Sequence, residues 1–237
     1  MITAEGINKI YPLPNGEDFY ALRDVNVTIP EGRLTILKGR SGSGKTTLLN
    51  ILSALDDSSN GTVQFDDLMI TGMTDKEKEQ LRRYQIGFVF QAVALIPMMT
   101  AYENVEYALR LAGVKKGRKE RAIECLTKVG LSERMYHLPA QMSGGEQQRV
   151  AIARAISHHP KVIFADEPTA ELDTVTALRV VNIFKDLIKE EGCTIVMTTH
   201  SVDLMEAADV LYELSDGQVI NYTNREEVYQ NENNEGR

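Results

Sequence analysis

Gly39-Arg-Ser-Gly-Ser-Gly-Lys-Thr-Thr47 is the stretch from which the fold of this chain is read. It fits the phosphate-binding loop pattern G-x-x-x-x-G-K-[ST], with Gly39, Gly44, Lys45 and Thr46 in the fixed places. The flanks carry more weight than the match. Leu34-Thr-Ile-Leu37 reads as a short buried strand, and behind the loop Leu48, Leu49, Ile51, Leu52 and Leu55 recur at helical spacing. A strand, a glycine loop and a helix in that order are the setting the motif requires; a glycine turn holding a lysine by chance would not need them. Gly42 and Gly44 permit backbone angles closed to other residues and a close approach to a ligand. The successive N–H groups of residues 39–47, including those of Arg40, Ser41, Ser43 and Thr47, are therefore expected to form an anion nest at a helix N-terminus. Lys45 is expected to reach the β- and γ-phosphates of a nucleotide, and the Thr46 hydroxyl to ligate Mg²⁺.

Working outward, the 237 residues suffice for one large α/β domain or one domain with an inserted lobe. With 43% apolar and 25% charged residues the composition is that of an ordinary water-soluble globule. No apolar run approaches the roughly 18 residues of a membrane span, and Met1-Ile-Thr-Ala-Glu5 lacks the basic and apolar regions of a secretory signal. The chain is thus expected in the cytoplasm, meeting a membrane only through a partner. A net charge of −8 argues against a nucleic-acid partner, because phosphate backbones select basic surfaces. Cys125 and Cys193 have neither metal nor redox spacing and read as small apolar fillers. His137, His158, His159 and His200 form no ligand cluster.

Strands are expected over residues 2–10, 20–29, 62–65, 68–70 and 86–90, the last ending on Gln91, with a charged helix over 74–84. From Ala101 to about Ile156 the character turns helical, and Ala151–Ile156, apolar nearly all round, should be buried. Strand character returns at Val162-Ile-Phe-Ala165, which runs into Asp166-Glu167-Pro168. Pro168 forbids a following central strand, so both carboxylates belong at the strand's C-terminal end, where open α/β sheets place their ligand chemistry. An amphipathic helix over 174–189, a buried strand over 194–199 ending at His200, and a hairpin of 210–214 with 218–222 complete the order. The fold expected is α/β, a P-loop NTPase core: residues 1–91 and 160–222 form a mixed sheet with an N-terminal antiparallel β region. Residues 92–159 form an inserted helical lobe, and 223–237 a frayed tail.

Five features share the chain: the glycine loop, the strand ending in Gln91, Ser143-Gly144-Gly145 followed by Glu-Gln-Gln-Arg149, the Asp166-Glu167 strand end, and the strand ending in His200. In this order, and over nearly the whole chain, it resembles the nucleotide-binding subunit of ABC transporters. Ser-Gly-Gly, 23 residues before Asp166, is the most diagnostic part. The resemblance implies that ATP and Mg²⁺ are bound, with Asp166 as the metal-holding acid and Glu167 as the general base. It makes Gln91 a group touching metal and water, and His200 one touching the γ-phosphate. Asp173, in Ala170-Glu-Leu-Asp173, matches the family's D-loop aspartate, and Tyr11 the aromatic on which adenine stacks; packing in the N-terminal sheet is the other reading of Tyr11. Ser143, Gly144 and Gly145 are implied to close over ATP held by a second copy, a homodimer being sufficient.

Within the family, Gln91-Ala-Val-Ala-Leu-Ile-Pro97 and Thr100-Ala-Tyr-Glu-Asn104-Val resemble the lipoprotein-release, macrolide-efflux, cell-division and bacitracin-resistance branch. Departures are Arg40 where Pro is frequent, Met142 for Leu, and Ala-Glu-Leu-Asp for Gly-Asn-Leu-Asp; none removes a catalytic group. An integral membrane permease is the implied partner, with export the implied direction and the inner face of the cell membrane the implied location. Met98 and Met99 are candidates for the groove that receives it, or for core packing. Two other readings share the ATPase: a soluble ABC ATPase acting on ribosomes or chromosomes, and a regulator of a cell-wall or signalling membrane protein. The lack of sustained heptads and of a second cassette weighs against the soluble reading.

Overall fold

The computed structural model describes residues 1–225. At its centre lies β3 (Leu34–Lys38), parallel to β8 (Thr194–Thr199) on one side and to β9 (Val210–Ser215) on the other. Beyond β8 follow β7 (Val162–Ala165) and β6 (Ile86–Val89), both parallel; β10 (Gln218–Asn224) closes the opposite edge antiparallel to β9. The order is therefore β10-β9-β3-β8-β7-β6. Parallel neighbours need crossovers, which cover both faces of such a sheet. The pleat sorts the side chains accordingly. Leu34, Ile36, Ile163, Ala165, Ile195 and Met197 enter one core cluster, while Leu37, Val162, Phe164 and Val196 enter another.

The first face is covered by α6 (Thr174–Glu191) and by three helices from the helical stretch, α3 (Ala101–Leu111), α4 (Arg118–Lys128) and α5 (Gly144–Ile156). These three share one core with the sheet. Burial of Val150 through Ala153, Ala155 and Ile156 matches the all-round apolar reading of α5. Its end lies so near β6 that a Cβ on Gly87 would stand 2.5 Å from the Ala155 carbonyl oxygen. Arg121 of α4 fastens that end. Its guanidinium donates to the carbonyls of Ile156 (2.8 Å) and Ser157 (3.0 Å) at the end of α5 and pairs with Glu191 at 3.1 Å.

The second face carries α1 (Lys45–Leu52) and an antiparallel sheet of order β2-β1-β4-β5. Its strands are β1 (Ile2–Pro12), β2 (Asp18–Ile29), β4 (Asn60–Phe65) and β5 (Leu68–Met69). α2 (Asp75–Gln85) adds Leu81 to the same core. Three expectations change. α1 stops at Leu52 and the backbone turns left-handed at Ala54 (φ 58°), so Leu55 leaves the apolar stripe and is exposed. β1 runs on through Tyr11 and Pro12, because Tyr11 pairs with Phe19 and Pro12 with Asp18. Thr223 and Asn224, expected in the tail, are strand residues paired with Leu211 and Val210. The remainder of that expected tail, 226–237, lies outside the described residues.

Candidate functional site

The loop after β3 and the carboxyl ends of β7 and β8 meet at a cleft of about 690 Å³. It is lined by Tyr11, Phe19, Ala21, residues 40–42 and 44–47, Gln91, Glu167 and His200. Adjacent parallel strands bring these ends together, as the position of Pro168 after β7 implied. Gly44 stands at the N-cap of α1 with φ 99°, and a Cβ there would meet the Ala21 carbonyl oxygen at 2.7 Å, so no other residue fits. The Ser43 side chain is buried and its Oγ has no hydrogen-bond partner. The phosphate fit comes instead from the backbone lining the cleft, left-handed at Gly42 (φ 79°) and Gly44, the kind of turn in which successive N–H groups cradle an anion.

Lys45 is only 4% exposed. Its Nζ donates to the carbonyls of Gly39 (2.9 Å) and Arg40 (3.0 Å) and lies 3.6 Å from Glu167 Oε1. The Thr46 hydroxyl is 3.0 Å from both carboxylate oxygens of Asp166. A hydroxyl and a single carboxylate, with the Gln91 amide on the same cleft, form an all-oxygen donor set. That suits Mg²⁺, which is held by few protein groups and fills its shell with water and phosphate oxygens. Among the described residues no group of three His, Cys, Asp or Glu side chains gathers to hold a softer metal. Glu167 adopts φ 41°, an uncommon left-handed angle for a non-glycine residue, and its Oε2 lies 3.3 Å from His200 Nδ1.

Tyr11 reaches the cleft with its ring half exposed, under Lys9 Nζ at 5.1 Å and with its hydroxyl 3.3 Å from Asp56 Oδ2. Burial and the Asp56 carboxylate raise its phenol above the ordinary range. Ser143, Gly144 and Gly145 do not line the cleft. They begin α5, where Ser143 Oγ accepts from the Glu146 N–H and Glu146 accepts from the Ser143 N–H, a reciprocal cap. Ser143 and Gly144 are exposed. Asp173 is likewise exposed and caps α6 by accepting from the Thr176 N–H (3.1 Å) and hydroxyl (2.7 Å). A Cβ on Gly145 would press on Thr176, so the two helix starts adjoin one another.

Two residues of this region escaped the sequence reading. Phe19, 51% exposed, stands opposite Tyr11 on the neighbouring strand. Thr198 of β8 is fully buried; its hydroxyl donates to Asp166 Oδ1 at 2.7 Å and accepts from the Glu167 N–H at 2.8 Å. The available signals were an aromatic on the return strand and the Thr198-Thr199 pair that closes the apolar run Ile195-Val-Met197. Met98 is 88% exposed and Met99 partly buried, so Met98 is no core residue, and neither lines the groove of about 770 Å³ between β6 and α3. Phe88, Phe90, Ile96 and Leu111 line it, with Arg83, Arg110 and Arg154.

A parallel sheet, a glycine loop turned into a helix N-terminus and two acidic side chains at the neighbouring strand end define a P-loop nucleoside-triphosphate hydrolase. The family described as "ABC transporter" matches residues 22–170, and the chain belongs to the ATP-binding cassettes of that family. It is 43% identical over 225 residues to the uncharacterized ABC transporter ATP-binding protein MJ0796 of Methanocaldococcus jannaschii, covering 92% of this chain and 95% of that one. It is 42% identical over 223 residues to the macrolide export ATP-binding/permease protein MacB of Syntrophobacter fumaroxidans, covering 92% of this chain but 31% of that longer one. Its fold matches a dimeric post-hydrolysis structure of the MJ0796 cassette bound to ADP and Pi, with a TM-score of 0.87 and 40% identity over 94% of this chain and 98% of that one. The chain is therefore an ATPase that works on ATP with Mg²⁺. Among its described residues, no helix is long and apolar enough to cross a membrane.

Proposed function

We propose that this ATPase closes as a homodimer around two ATP molecules and drives a permease in the membrane, in the export direction. In this reading Lys45 and the loop N–H groups hold the β- and γ-phosphates. Thr46, Asp166 and Gln91 would hold Mg²⁺, which supplies neutralisation of the phosphate charge. Glu167 orients the attacking water and takes its proton. His200, beside Glu167, donates to the γ-phosphate through whichever ring nitrogen carries the proton. Tyr11 stacks on the base, with Phe19 flanking it.

The observation that carries the dimer is the separation of the two phosphate-binding helix starts. Lys45 belongs to the cleft, whereas Ser143 and Gly144 are exposed, Gly145 packs against Thr176 of α6, and none of the three lines it. An exposed helix N-terminus with two glycines is suited to an anion brought from outside. The dimeric cassette among the similar structures and the relatives that carry ATPase and permease in one chain support a second copy and a membrane partner. The groove between β6 and α3, apolar and edged by arginines, fits an amphipathic helical segment of that permease. It starts where β6 leads towards Gln91, so a load placed there adjoins the cleft. Location at the inner face of the membrane follows from this partner.

Glu167→Gln is the decisive variant. It should retain ATP binding, lose hydrolysis by at least about 10²-fold, and elute as a dimer in gel filtration with ATP and Mg²⁺. A variant that hydrolyses ATP at the parent rate would remove Glu167 from the base role; one that binds ATP and stays monomeric would remove the ATP-closed dimer.

A further inference from the structure

We infer that Thr198 is a positioning residue for hydrolysis, the group that fixes the metal-side and water-side carboxylates relative to one another. It does not line the cleft and acts through Asp166 and Glu167; the inference rests on the reading of Glu167 as the base.

Thr198 lies on β8, between the strand that feeds the glycine loop and the strand that ends in the two acids. It is wholly buried, so its hydroxyl has no exchange with bulk solvent to fall back on. That hydroxyl spends its one proton on Asp166 Oδ1 at 2.7 Å and receives the Glu167 N–H at 2.8 Å. Only a group that both donates and accepts can do this, which in a site of this volume means a Thr or Ser hydroxyl. Asp166 Oδ1 is the same oxygen that stands 3.0 Å from Thr46. Thr198 thereby sets the rotation of the carboxylate that faces the metal position.

The second bond acts on the backbone. Glu167 sits at φ 41°, a conformation that persists only where neighbours hold it. The bond to Thr198 pins its amide at that angle, and the angle decides where the carboxylate points, here between Lys45 and His200. A contrast lies on the next strand. Thr35 of β3 is just as buried, but its hydroxyl has no hydrogen-bond partner. Burial of a threonine in this sheet does not by itself create such a bridge.

Three variants in the full-length chain test this, read by ATP turnover, ATP binding and thermal melting. Thr198→Val keeps the shape and loses both bonds: kcat should fall about tenfold or more while KM for ATP moves less than about threefold. Thr198→Ser keeps both bonds and should stay within about threefold of the parent. Thr198→Val placed on Glu167→Gln should lower the residual rate by a clearly smaller factor than it lowers the parent rate, since one of the two carboxylates it positions is gone while Asp166 remains. Parent-like turnover in Thr198→Val, or a folded Thr198→Ser that loses hydrolysis, would overturn the inference. If Thr198→Val does not fold, the serine variant still decides. Failure of the base reading looks different, because Glu167→Gln alone would then hydrolyse ATP normally.

Discussion

At the residue scale the site is a set of charges that satisfy one another. Lys45 is held by two loop carbonyls and Glu167, Glu167 by Lys45 and His200, and Asp166 by Thr46 and Thr198. Every member supplied by the two motifs was legible, because a P-loop fixes residue types by number. Thr198 and Phe19 were not. Their roles come from register between strands, and no local pattern announces which residue of β2 will face Tyr11. Phe19→Ala tests that register. Loss of one aromatic wall, worth about 0.5–1.5 kcal/mol, should raise KM for ATP about two- to tenfold with kcat unchanged. Titration of ATP binding, compared with a pyrimidine triphosphate, measures it; the gap between the two nucleotides should narrow.

At the element scale, strands of the parallel sheet were found within a residue or so of their expected ends, since buried apolar runs are short and bounded by charged or turn residues. Helix starts are as sharply written. Thr74 with Glu77, Thr100 with Glu103 and Ser143 with Glu146 are all reciprocal caps at S/T-x-x-E spacing. Leu55 continues the helical spacing past the end of α1, because the left-handed turn at Ala54 that stops the helix has no glycine to mark it. What sequence could not supply is how helices are tied together. Arg121 joins the end of α5 to α6 through Glu191, which also accepts from Lys128 at 2.6 Å. Burial pushes the Glu191 carboxyl up, but the hydrogen bonds from Lys128 and Arg121 outweigh it and hold it below the ordinary range. Arg121→Ala should cost about 2–4 kcal/mol by leaving the Ser157 carbonyl and part of a carboxylate unpaired. The contribution of Glu191 is complete above the unfolded carboxyl value of about 4.3 and is lost as pH falls through the lower folded value. The gap between the melting curves of parent and variant should therefore narrow on acidification below about pH 4, leaving the part due to the carbonyl.

At the scale of the whole molecule, the sequence order of motifs was informative and their spatial division more so. The glycine loop and the acidic strand end are neighbours in the sheet, whereas Ser143–Gly145 are carried elsewhere by α5. If each nucleotide is shared between copies, two damaged chains can repair one another. Lys45→Ala and Gly144→Asp should each be inactive alone, Lys45→Ala for want of binding and Gly144→Asp with ATP binding by its monomer intact. A mixture should regain hydrolysis, approaching about half the parent rate per mixed dimer if the two sites act independently. No recovery in a mixture proven to form mixed dimers would place both motifs on the same nucleotide.

One glycine far from both motifs sets a term for all of this. α5 has 13 residues and is about 20 Å long, a stiff rod with Gly144 at its first turn and Ala155 near its last. Gly87 lets the strand beneath it come within backbone reach of that last turn. A methyl group there would act as a wedge under one end of a beam and tilt the opposite end, which carries the exposed glycines. The aim of the surface offered to a neighbouring copy is thus calibrated by an atom that position 87 does not have.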